Sequence, residues 1–177
     1  MFNITSPKPT YDQNAVQPMR DELIAAGFEE LLTPDEVEKV LKVNDDKTIL
    51  VVINSVCGSA AGSARPGVSY ALQNNLIPDK LYTVFAGQEK EAVDKVRSMI
   101  TEYPPSSPCI ALFKNGNLLY FMQRTDIKER PAKQIANELV EIFNEYCSAK
   151  GPSVSPENLN KIMYAKQCGS KIPLFKG

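Results

Sequence analysis

Apolar and polar positions divide this chain into alternating helical and extended stretches. The plainest signal is residues 49–53, Ile-Leu-Val-Val-Ile, five apolar side chains in a row, four of them β-branched. An unbroken run of that kind predicts a strand covered on both faces, as in a central parallel strand. A second short β-favouring run covers residues 81–85. Two more, 109–113 and 118–122, flank Asn115-Gly116, the dipeptide of a tight antiparallel hairpin.

Between these runs the spacing becomes helical. Residues 16–28 place Met19, Leu23 and Ile24 on one face. Thr33, Pro34 and Glu36 form a helix start, with Thr33 as the cap and Glu36 completing a capping box, ahead of inward Val37, Val40 and Leu41. A helix over residues 59–74 contains Pro66, which kinks or restarts it. Residues 88–100 and 131–146 complete the set, the latter with Ile135, Leu139, Ile142, Phe143 and Tyr146 facing inward.

The predicted order is α-α-β-α-β-α-β-β-α. Crossovers through helices put the early strands in parallel, and the hairpin adds an antiparallel strand at the edge. The fold class is therefore α/β, a mixed central sheet between helical layers. Residues 1–147 form one domain with an N-terminal helical extension. Residues 148–177, with a short helical candidate at 157–164, form an appendage.

Composition narrows the function classes. Apolar residues make up 43% of the 177 positions, enough for a genuine core. The 20 basic and 21 acidic side chains leave a net charge of −1 with no basic stripe, so no nucleic-acid partner is expected. No stretch reaches the roughly 18 apolar residues of a membrane span. The first residues lack the basic and apolar regions of a secretory signal, and the expected location is the cytoplasm.

The chain has no histidine, which excludes Ser-His-Asp and Cys-His catalysis. Its four cysteines, Cys57, Cys109, Cys147 and Cys168, lie 52, 38 and 21 residues apart and form no Cys-x-x-Cys pair, so neither a metal site nor a bound cofactor is expected. The glycines after Cys57 are not followed by Gly-Lys-Ser/Thr, which argues against a nucleotide loop.

Cys57 is the candidate that matters most. It follows the central strand and precedes Gly58-Ser-Ala-Ala-Gly62, a strand–turn–helix arrangement. The first amides of a helix aimed at a thiol favour its ionised form, and the thiolate is the nucleophile. The same position also suits a small buried hydrophobe. Arg65, eight residues on, reads as a surface or capping contact.

From Ile49 onward the chain resembles the thioredoxin superfamily. Within it, Asn54-Ser-Val-Cys-Gly-Ser-Ala-Ala-Gly62 with Ala64-Arg-Pro-Gly67 is similar to the signature of the bacilliredoxin family. Ser107-Pro108, Phe113-Lys-Asn-Gly116, Arg124 and Glu145-Tyr-Cys147 extend the likeness over roughly residues 15–147. Two positions depart from it. Ser59 stands where that family carries its second active-site cysteine, and Thr125 stands where it often has a histidine.

The resemblance implies a thioredoxin-like three-layer α/β/α sandwich and a thiol-disulfide oxidoreductase. Cys57 would take a low-molecular-weight thiol, bacillithiol or similar, from S-thiolated proteins, and a second small thiol would release it. Gly58 would allow the tight turn, and Ser59 would donate a hydrogen bond to the sulfur. A cis Pro108 would expose the Ser107 backbone to an extended substrate, and Arg124 would meet an anionic partner. Cys109 and Cys168 are possible resolving thiols. A disulfide isomerase and a redox-inactive binding module are the alternatives.

Overall fold

The computed structural model describes residues 7–161 and 172–177. Its centre is β2, Thr48–Asn54, in which every residue is buried. Hydrogen-bonded beside it are β4, Lys80–Phe85, in parallel, and β5, Cys109–Lys114, antiparallel. β1, Glu29–Glu30, extends the parallel side, and β6, Asn117–Met122, closes the other edge, giving the order β1-β4-β2-β5-β6.

Alternation along β2 builds the layers. Leu50 and Val52 face a cluster that includes Leu23 of α1 (Gln13–Ala25), Val68 of α3 (Arg65–Ala71) and Leu139 of α6 (Ala132–Tyr146). Ile49, Val51 and Ile53 face Val37 of α2 (Pro34–Leu41) and Val93 of α4 (Lys90–Ser98). The unbroken apolar run thus marks a strand covered on both sides. The architecture is a thioredoxin-like three-layer α/β/α sandwich around a mixed sheet.

Local chemistry explains the element boundaries. Asp12 caps α1 by accepting from the Ala15 amide, so the helix starts three residues before the expected position. Ile24 is exposed rather than packed with Met19 and Leu23. Thr33 accepts from the Glu36 amide as expected, but the Glu36 carboxylate accepts from Leu32 rather than closing a reciprocal box on Thr33. Helical backbone begins at Gly58 and widens into a π-helical turn at Ala60–Ala64 before α3. Pro66, which has no N–H, sits in the first turn of α3, so it restarts the helix. Asn115 and Gly116 both have positive φ, as the tight hairpin requires.

The C-terminal residues are tied to the body. β7, Ala149–Lys150, pairs antiparallel with β3, Leu76–Ile77. The Ser153 hydroxyl donates to the Ala26 carbonyl. A short helix, α7, spans Pro156–Asn160, and positions 162–164 of the expected helix lie outside the described residues. At the end of the chain, Asp12 N donates to Pro173 O at 2.8 Å and Phe175 N to Thr10 O at 2.9 Å. Ile172 is buried among Val16, Met19, Val56 and Phe85. One further helix, α5, Arg124–Ile127, follows β6. No helix of the described residues is long and apolar enough to cross a membrane.

Candidate active site

β2 delivers Asn54 to the end of the sheet, and the chain turns through Ser55 and Val56 into the helix that starts beyond Cys57. The Cys57 carbonyl accepts from Ala60 and Ala61 at 3.1 and 3.2 Å, which places Cys57 at the mouth of that helix. Its side chain is half-buried. The Ser55 hydroxyl donates to the Cys57 sulfur at 3.1 Å and accepts from the Cys57 amide at 3.3 Å. The donor expected from Ser59 is thus supplied by Ser55. Ser59 is half-buried, and its hydroxyl makes no capping hydrogen bond.

Gly58 also acts differently from expectation. Its φ is not positive, and an added Cβ would meet nothing within 4 Å. The turn therefore does not need glycine's conformational freedom. A side chain is simply absent from the exposed surface next to the sulfur.

Arg65 lies inside the protein and is not the surface contact its position suggests. It is fully buried, pairs with Glu22 of α1 at 3.1 Å, and donates from Nη1 to Asn54 Oδ1 at 3.0 Å and to Ser55 O at 2.8 Å. Asn54 Oδ1 also accepts from the Ser55 amide, and Asn54 Nδ2 donates to Met19 O. Burial pulls the Arg65 guanidinium below its ordinary range, while Glu22 and the nearby Cys57 push the other way. A buried cation thus fixes the backbone from which Ser55 reaches the sulfur.

A cleft of about 380 Å³ opens over Cys57. It brings Cys57 together with Ser107 and Arg124, and with Arg97, Gly87 and Tyr11, which pattern reading did not single out. The Ser107–Pro108 peptide is cis, and Pro108 itself is buried. Ser106 anchors both arginines: its carbonyl accepts from Arg97 Nη2, and its hydroxyl accepts from the Arg124 amide, each at 3.3 Å. The Tyr11 wall is fixed by Gln88, whose side chain accepts from Tyr11 N and donates to Tyr11 O. Gly87, at φ +88°, lies under the Tyr11 ring.

The other thiols lie apart from this chemistry. Cys109 is buried in the core, and burial pushes its thiol up to about 12, only partly offset by Arg97 and a backbone hydrogen bond at Ile53. Sealed and protonated, it is not placed as a resolving thiol. Burial likewise pushes Cys147 up to about 11. Cys168 lies outside the described residues.

A family model described as Disulphide isomerase matches residues 11–147. A bacilliredoxin of Cytophaga hutchinsonii is 50% identical over 135 residues, covering 76% of this chain and 98% of that protein. A bacilliredoxin of Salinibacter ruber is 48% identical over 143 residues, covering 80% and 84%. One of Staphylococcus aureus is 45% identical over 140 residues, covering 79% and 95%. With a thiol at the end of the central strand and this fold, the protein is a thiol-disulfide oxidoreductase acting through a cysteine nucleophile. The chain belongs to the bacilliredoxin family.

Proposed function

We propose that Cys57 is the nucleophile and that it removes a low-molecular-weight thiol, bacillithiol or a close chemical relative, from S-thiolated proteins. The Cys57 thiolate attacks the small-thiol sulfur of the mixed disulfide. A new S–S bond forms between them, and the protein leaves as its thiolate and takes up a proton. A second small thiolate then attacks the adduct, releasing a symmetric small disulfide and regenerating Cys57. The net change is one protein disulfide reduced and two small thiols joined.

The observation that carries this reading is the Ser55 hydroxyl on the Cys57 sulfur at the floor of an open cleft. The hydrogen bond holds the sulfur in the open cleft, where a disulfide can reach it. Ser107 and Arg124 line the same cleft, which supports a role for them in holding the substrate. Ser59 has no exchangeable sulfur, so the resolving thiol comes from outside the motif. The reaction suits a reducing compartment such as the cytoplasm.

Intact mass after treatment with an S-thiolated protein tests the assignment. The wild type should gain one small-thiol adduct that peptide mapping places on Cys57, and Cys57→Ser should gain none and leave the substrate modified. Full activity in Cys57→Ser would overturn the proposal. The description of the matching family model also favours a disulfide isomerase, which needs one attacking thiol. Reactivation of a scrambled disulfide protein, faster than de-thiolation of the same protein, would favour that second reading.

A further inference from the structure

The Cys57 cleft is lined by two arginines and by no acidic residue. Arg97 comes from α4 and Arg124 from the start of α5, and the remaining lining residues are neutral. Arg97 makes no ion pair among the described residues. Its Nη2 donates to Ser106 O, and its Nε is buried with no hydrogen-bond partner among the described residues. A guanidinium with no ion-pair partner meets a free carboxylate through short, charge-assisted hydrogen bonds. Ser106 accepts from the Arg97 guanidinium through its carbonyl and from the Arg124 backbone amide through its hydroxyl. The cleft, at about 380 Å³, has room for a small thiol beside the sulfur.

We propose that Arg97, with Arg124, forms an anion subsite for the small-thiol half of the disulfide. The enzyme therefore selects low-molecular-weight thiols that carry a carboxylate away from the sulfur. This rests on the reading of Cys57 as nucleophile. In the reacting complex Cys57 attacks one sulfur of the small disulfide, the other half leaves as a thiolate, and the carboxylate of the retained half is held by Arg97. Arg97 acts on the substrate and takes no part in the electron transfer.

The test uses the full chain and two symmetric disulfides. Glutathione disulfide carries carboxylates, and 2-hydroxyethyl disulfide is neutral. Rates of adduct formation on Cys57 are followed by intact mass. Arg97→Gln should lose about tenfold against glutathione disulfide, the scale of one charge-assisted hydrogen bond, and change less than about twofold against the neutral disulfide. Raising the salt should erase the wild type's preference for the anionic probe. Arg97→Lys, which keeps the charge but not the fork, should fall between wild type and Arg97→Gln.

Equal losses on both probes would overturn the subsite, because Arg97 would then act on the thiolate or on the fold. So would discrimination that arises only with acidic peptide disulfides and not with glutathione disulfide, which would make the cations a peptide contact. If neither probe forms an adduct on wild-type Cys57, the nucleophile assignment fails and the subsite fails with it.

Discussion

Arg65 acts from the interior. It touches no solvent, yet it sets the position of Asn54 and Ser55 at the start of the turn that leads to Cys57. Glu22 supplies its counter-charge from a different helix. Removing one partner of a buried pair leaves the other uncompensated, at a cost of about 3–5 kcal/mol. Glu22→Gln should therefore lower stability by that order in a urea titration. Ser55→Ala should cost far less stability, yet slow alkylation of Cys57 by iodoacetamide at pH 7 by roughly three- to tenfold, the worth of one ordinary hydrogen bond. Equal alkylation rates would remove Ser55 from the site.

The two buried thiols have a pH signature of their own. Cys109 and Cys147 are raised from 9.0 to about 12 and about 11, so the folded state holds their protons more tightly than the unfolded state. Their contribution is complete below pH 9 and is lost as pH rises toward those higher values. A Cys109→Ala/Cys147→Ala variant should lose less stability between pH 8 and pH 10.5 than the wild type does, by denaturant midpoint. Cys57, Ser107, Pro108 and Arg124 were named from the sequence because the family resemblance marks them, and Cys57, Ser107 and Arg124 line one cleft. Ser55, Arg65 and Arg97 were not, because their roles depend on partners 2, 10 and 9 residues away whose contact only the folded chain creates.

At the level of elements, the helical run from Cys57 into α3 is held by its fit against α6. A Cβ added at Gly67 would lie 2.7 Å from Ile135 Cγ2, well inside van der Waals contact. Gly67→Val should destabilise the protein by about 1–3 kcal/mol through overpacking, or more if α3 shifts. Thermal unfolding measures this, and a lowered alkylation rate at Cys57 would show that the displacement reaches the site. Long periodic segments such as α6 and the apolar run of β2 were readable because burial imposes a repeat on many positions at once. β1, β3, β7 and α5 span two to four residues each, too few to show any period. Their pairing is imposed by neighbouring strands and loops.

Across the whole molecule, residues 10–12 run between the Gly87–Gln88 loop on one side and residues 173–175 on the other. Ile172 completes the same arrangement by packing on Val56, the neighbour of Cys57. The C-terminal residues beyond the family match thus brace the Tyr11 wall of the cleft. Ile172→Asp would put a carboxylate among Val16, Met19 and Phe85, and hydrogen exchange at the Asp12 and Phe175 amides should accelerate while the β2 amides stay protected. Unchanged exchange there would show that the wall stands without the tail.

Among the described cysteines, Cys57 alone faces the cleft, with a hydroxyl residue at 59 and the sulfurs of 109 and 147 sealed in the interior. The described residues thus place no second accessible sulfur beside Cys57 to release an adduct from it. With release by a small thiol, as proposed, throughput follows the ratio of reduced to oxidised small thiol in the surroundings, and the exchange runs backwards, loading that thiol onto proteins, when the ratio collapses.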